Sequence, residues 1–200
     1  MNSLRIGKWI PSPNWGYPRG NKTHIKRIAI VNHIMEGTMA GTREKFLNSA
    51  SLCSAHIGVS RKGEYEQYVD FDNAAWAHGK VNNPSWPLLI PNLNPNKYTI
   101  SIEHEGYSGQ PLTEEQYQAT LWLHKVLCAA YDIVPGPDTI IGHYRIDSVN
   151  RANCPGPAFP FGRLLEDLEP RIIAKYHDAV NKALWYTLQA KAVLESVRPR

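Results

Sequence analysis

Three residues far apart in the chain carry side chains able to hold a metal ion. His33 follows the apolar run Ile28-Ala29-Ile30-Val31-Asn32, and His143 follows Thr139-Ile140-Ile141-Gly142. Cys154 lies in the loop Asn153-Cys154-Pro155-Gly156. Two imidazoles and a thiolate are good zinc donors, and zinc with three protein ligands keeps a fourth position for water. Each histidine sits at or just past the end of an expected buried strand, where side chains leave the sheet and line clefts. The separations are too long to define a zinc motif by themselves, and one such histidine alone reads as an ordinary loop or core residue.

The elements that must position these groups are legible in outline. Short apolar runs bounded by polar residues predict strands at 28–32 and 139–142. Residues 55–60 and 65–71 read as two strands around a turn at Arg61-Lys62-Gly63. Alternation over Tyr98-Thr99-Ile100-Ser101-Ile102-Glu103 predicts a strand with Ser101 and Glu103 on one face. Thr42 before Glu44, Lys45, Phe46 and Leu47 suggests a short capped helix, and Thr113 opens a longer one through about Ala130. A helix is expected over 162–168, and residues 80–97 and 144–162 are loops. The proline- and glycine-rich first 23 residues read as an extended arm without regular structure.

Composition excludes several classes. With 42% hydrophobic and 20% charged residues the chain is an ordinary globular sequence. It holds no run of about 18 apolar residues, so no transmembrane segment is expected. No signal-peptide h-region appears near the N-terminus, and three cysteines form no disulfide framework. The +4 net charge lies wholly in residues 170–200, while the rest of the chain is neutral, so nucleic acid is not an expected partner. Ile172, Ile173, Tyr176, Val180, Leu184 and Leu188 stand at helical spacing in that tail. The tail reads as a basic amphipathic helix that packs on the body, self-associates or meets an anionic polymer or membrane surface.

Six segments, in order, carry a resemblance to a known family. They are I-A-I-V-N-H at 28–33, S-A-H-I-G-V-S-R-K-G at 54–63, D-N-A-A-W-A-H-G at 72–79, Y-T-I-S-I-E-H-E-G at 98–106, I-I-G-H-Y at 140–144 and N-C-P-G-P at 153–157. The chain resembles the type 2 N-acetylmuramoyl-L-alanine amidases, which include phage endolysins, autolysins and peptidoglycan recognition proteins. The resemblance implies an α/β fold with a mixed central β-sheet of about five or six strands flanked by helices. It implies one catalytic zinc in a groove at the sheet edge, held by His33, His143 and Cys154. The domain plan that follows is an N-terminal arm (1–24), a zinc amidase domain (25–169) and the tail (170–200), for which the resemblance implies an anionic wall polymer as the polymer it would meet.

The resemblance also assigns roles. Glu103 resembles the general acid/base that moves a proton from water to the leaving nitrogen. Glu105, two residues on, is its rival on the same strand face. His56, Trp76 and His78 resemble groove-lining, substrate-binding positions. For His56 the alternative is a structural histidine, and for Trp76 it is core packing. A Tyr and a Lys that some relatives use in catalysis are replaced by Ala55 and Ala152, which leaves Arg151, Asn153 or the zinc alone to stabilise the oxyanion. His104 and His124 read as structural or exposed, and Cys53 and Cys128 as small apolar residues. The expected function is zinc-dependent cleavage of the amide between N-acetylmuramic acid and L-alanine in peptidoglycan, by an endolysin or autolysin made in the cytoplasm without a Sec signal and released through a holin or by lysis. The alternatives are an intracellular amidase recycling wall fragments and a peptidoglycan-binding recognition protein without turnover.

Overall fold

The computed structural model describes residues 4–16 and 26–168. Along the chain it contains β1 (Lys8–Trp9), β2 (Trp15–Gly16), β3 (Ala29–Ile34), α1 (Met39–Leu47), β4 (Ile57–Val59) and β5 (Tyr65–Gln67). β6 (Ala74–Ala75), β7 (Thr99–His104), α2 (Glu114–Tyr131), β8 (Ile140–Gly142) and α3 (Phe161–Asp167) follow. Six strands form one mixed sheet in the order β1-β5-β4-β7-β3-β8. All neighbours in it run parallel except β4 and β5. β2 and β6 make a separate antiparallel pair.

β3 is buried along its whole length, as expected for a central parallel strand covered on both faces. Register sets Ile30 beside Ile100 and Ile140, and Val31 beside Ser101 and Ile141. Because side chains alternate, the first row faces one layer and the second row the other. Ile30, Ile57, Val59, Ile100, Ile102 and Ile140 pack with Tyr117, Leu123 and Leu127 of α2 and Leu164 of α3 in one core. On the opposite face Val31, Tyr98 and Ile141 pack with Trp86 and Ile146 from the loops. Phe46 of α1 joins Ala55, Tyr68 and Val69 in a third cluster.

The helices start where local chemistry satisfies their free amides. Thr113 Oγ1 accepts the Gln116 N–H, and Glu114 and Glu115 complement the helix dipole in the first turn of α2. α1 begins earlier than the sequence suggests. Its cap is Thr38, whose hydroxyl accepts the Gly41 N–H, and Thr42 lies inside the helix with its own N–H on the Thr38 carbonyl.

Two further expectations change. The strands read at 55–60 and 65–71 shorten to three residues each, because the His56 carbonyl takes both the Tyr68 and Val69 N–H groups and ends the ladder. The N-terminal segment is not irregular. β1 extends the sheet beside β5, and the Ile10 and Ser12 N–H groups continue onto the Gln67 and Tyr68 carbonyls. The expected tail helix and both domain boundaries fall outside the described residues.

Candidate metal centre and active site

Strand register builds the site. β3 and β7 pair His33 with Glu103, and β3 and β8 pair Asn32 with Gly142. His143 therefore stands one step beyond β8, on the same sheet face as His33. The loop that follows returns Cys154 to this pair. Its carbonyl accepts the Tyr144 N–H at 3.0 Å, and its own N–H closes a turn on the Arg151 carbonyl at 2.9 Å. Gly142 permits this approach, since a Cβ there would lie 2.7 Å from Pro155 Cδ and 2.5 Å from the Tyr144 ring.

One donor atom each from His33, His143 and Cys154 lie within 4.8 Å of one another. Cys154 Sγ is 3.8 Å from His33 Nδ1. Zinc bonds of about 2.3 Å to sulfur and about 2.0 Å to nitrogen set tetrahedral donors roughly 3.5 Å apart, so these residues fit such an ion. Among the described residues the group has three donors and no fourth from His, Cys, Asp or Glu.

The imidazoles are held in the form a cation needs. His143 Nε2–H donates to the His78 carbonyl at 3.0 Å, which fixes the tautomer and leaves Nδ1 as the free donor. The His78 ring stacks on His33 with centroids 5.3 Å apart, and its Nε2–H donates to Thr99 Oγ1 at 2.7 Å. Burial, then the neighbouring histidines, hold His33 well below the ordinary histidine range. Burial lowers His143 to about 4 and pushes the Cys154 thiol up to about 12. A buried thiol becomes a thiolate when a cation sits beside it, and two neutral imidazoles completing that environment are the donor set of a dication site.

The two carboxylates of the next strand part company. Glu103 Oε2 is fully covered and has no hydrogen-bond partner among the described residues, although the residue as a whole is half-buried. Burial raises Glu103 to about 8, against the pull of the Lys45 and Arg151 cations. Glu105 is fully engaged. Its Oε1 accepts the Met39 N–H at the start of α1 and its Oε2 accepts the Arg61 N–H. Geometry thus separates the rivals: one carboxylate faces the cluster, and the other fastens α1 and a turn to the sheet end.

The remaining residues sort by depth. His56 is wholly buried, with Nδ1 accepting the Ser101 N–H, Nε2–H donating to the Asn73 carbonyl and its ring on Phe71. It is not brought to the open site. His78 is buried behind His33 and His143. Trp76 is exposed, 36% by area, as are Arg151 and Asn153 on the Cys154 loop. Ser108 Oγ ties that loop down through the Asn153 carbonyl. Cys128 is buried and Cys53 half-buried. His104 and His124 are both fully buried. The sequence had no signal for the His78 carbonyl that orients His143, because a backbone group carries no residue code.

A family model described as N-acetylmuramoyl-L-alanine amidase matches residues 23–157. The AmpD protein of Salmonella typhimurium, a 1,6-anhydro-N-acetylmuramyl-L-alanine amidase, is 36% identical over 110 residues, 55% of this chain and 54% of its own. The match thus spans about half the length of that relative. N-acetylmuramoyl-L-alanine amidase A of Achromobacter lyticus is 27% identical over 172 residues, 76% of this chain and 88% of its own. A crystal structure of an AmpD selenomethionine derivative superposes with a TM-score of 0.69 at 24% identity, covering 83% of this chain and 96% of that one. Escherichia coli AmiD, solved with anhydro-N-acetylmuramic acid-L-Ala-D-γ-Glu-L-Lys, gives 0.61 at 22% identity over 74% and 60%. These superpositions establish a shared fold. With the family model covering more than half of its 200 residues, the chain belongs to the N-acetylmuramoyl-L-alanine amidase family.

Proposed function

We propose that this chain is a zinc-dependent amidase acting on muramyl peptides, with His33, His143 and Cys154 as zinc ligands and Glu103 as the catalytic residue. It hydrolyses the amide between the lactyl group of N-acetylmuramic acid and L-alanine. The observation that carries this reading is the three-donor group with an unpartnered, covered carboxylate oxygen on the adjoining strand. Family membership and the names of the relatives supply the substrate class.

When bound, zinc supplies an acidified water and a Lewis acid for the scissile carbonyl. The residues of the chain do the rest. Glu103 Oε2 takes the proton of the attacking water and delivers it to the amide nitrogen as the C–N bond breaks. Its ionised form is favoured by Lys45, by Arg151 and by any cation on the three donors. Arg151 and Asn153 face solvent on the Cys154 loop, where they meet the developing negative charge, and Trp76 offers a ring face to the sugar. His56 and His78 support the walls of this groove and do not touch substrate.

The test combines metal analysis with turnover on two substrates, intact cell walls and soluble 1,6-anhydro-muramyl peptides. One zinc per chain and stem peptides freed at L-alanine are the expected results. Release from walls marks an endolysin or autolysin, and release only from soluble fragments marks a recycling enzyme. Glu103→Gln is expected to lower turnover by about 10²–10⁴-fold while keeping zinc and fold. Wild-type turnover in that variant removes Glu103 from the mechanism. Binding of wall fragments without turnover by the zinc-loaded protein makes the chain a recognition protein.

A further inference from the structure

On the reverse face of the sheet, directly behind the metal donors, His104 ends β7 next to Glu103. Alternation sends the two side chains to opposite faces. The His104 ring is fully buried, and its Nδ1 lies 2.9 Å from the His33 carbonyl oxygen. A carbonyl only accepts, so Nδ1 carries the proton and donates. The main chain repeats the connection one step on, where the Met35 N–H donates to the His104 carbonyl at 2.9 Å. The same ring meets Phe159 edge-on, with centroids 5.0 Å apart. Phe159 closes the Cys154 loop, with its N–H on the Gly156 carbonyl. One side chain therefore touches the backbone of the first donor, the loop of the third and, through its own peptide, the strand that carries Glu103.

A polar stripe of α2 belongs to the same region. Gln116, Thr120 and His124 recur at four-residue spacing and are fully buried in an otherwise apolar face. Gln116 Nε2–H donates to the Glu105 carbonyl, immediately after His104. His104 Nε2, His124 Nε2 and Gln116 Oε1 have no hydrogen-bond partner among the described residues. Unsatisfied buried polar atoms cost about 1–3 kcal/mol each, so a bare apolar residue at position 104 would be the cheaper solution for packing alone. An imidazole there has a task that an apolar side chain lacks, and among the described residues the His33 carbonyl is its one hydrogen-bond partner.

We propose that His104 is a positioning residue for the metal centre: its Nδ1–H holds the His33 peptide, and its ring seats the Cys154 loop through Phe159, so that the donors stay at ligating distance. The proposal rests on the zinc reading given above. It concerns ligand placement and assigns no proton transfer to His104.

Two variants of similar size and polarity test it. Asparagine places an N–H near the position of Nδ1, and glutamine places one near Nε2. His104→Asn is expected to bind zinc within a few-fold of wild type in chelator competition. His104→Gln is expected to bind about 10–100-fold more weakly, the usual effect of losing a group that orients a ligand. The visible bands of the cobalt-substituted protein should shift in His104→Gln and stay near wild type in His104→Asn. Equal zinc affinities in the two variants, even if both melt at lower temperature than wild type, overturn the proposal and reduce His104 to a packing residue. A wild-type protein that binds no zinc overturns the functional reading itself, and the positioning role with it.

Discussion

Strand β7 shows how different the two faces of one sheet can be. Ile100 and Ile102 point toward α2 and enter a core with Ile30, Ile140, Leu123 and Leu127. Ser101 and Glu103 point the other way, in register with Val31 and His33. The helix side is filled with branched aliphatic residues that fix where the strands lie. The opposite side becomes polar at the strand ends, where His33 and Glu103 pair across β3 and β7 and His143 follows β8. Aliphatic packing behind and buried donor groups in front are parts of one arrangement, because alternation makes each strand serve both. The faces should therefore fail differently, one by losing stability and the other by losing metal and turnover.

The largest effect is expected on the open face. Cys154→Ser removes the sulfur donor of the group. The purified variant should lose stoichiometric zinc, and added zinc should no longer raise its melting temperature, since a ligand stabilises only the state that binds it. Metal analysis and melting curves with and without zinc check this. Unchanged stoichiometry would mean that sulfur is not a ligand.

Ile102→Ala acts on the other face. Ile102 is fully buried against α2. Its truncation should cost about 2–5 kcal/mol in urea unfolding while zinc affinity, measured where the variant is still folded, stays near wild type. A variant that keeps its stability but loses metal would show that the two faces do not divide the work in this way.

Glu105→Gln sharpens the contrast within one strand end. Glu105 and Glu103 are two residues apart, yet Glu105 accepts two backbone N–H groups while Glu103 Oε2 accepts none. Loss of the charge from the first should cost about 1–3 kcal/mol of stability, because bonds to an ionised acceptor are the stronger ones. Activity per folded molecule should persist. A collapse of kcat with unchanged melting temperature would reverse the roles given to the two carboxylates.

Much of this division is legible in the sequence. The run Ile28–Asn32 and the alternation at 98–103 give β3 and β7, and each strand stops within two residues of its expected end. Thr113 marks the start of α2 because a side-chain cap is a local device. The three donors stand out as residue types, and only the family resemblance joins them as a group, since strand register and the Cys154 loop bring them together over distances that no local pattern spans. β1, β2 and β6 have no sequence signal because two-residue strands carry no period; they exist through pairing partners elsewhere. The α1 cap was misplaced because two threonines four residues apart compete for it, and burial of Thr42 decides for Thr38. Glu103 and Glu105 look alike in sequence and differ only in which amides come within reach.

The smallest expected effect concerns acid. His124 on the helix side and His56 on the other side are both buried, and burial lowers them from 6.5 to about 4 and about 3. Both are neutral in the fold and take up a proton on unfolding below about pH 6.5. The unfolded chain then binds more protons, so stability is complete above that pH and falls as pH drops toward the folded values. Between pH 7.5 and 6.5 the loss is roughly a few tenths of a kcal/mol for each histidine, and it steepens below. Urea unfolding of the chelator-treated protein across this range measures the slope. His124→Gln should flatten it by up to one proton while leaving the His56 share in place. If the slope is the same in that variant, His124 is not a source of acid sensitivity, and the loss with pH belongs to the other buried histidines, His104 on the helix side among them.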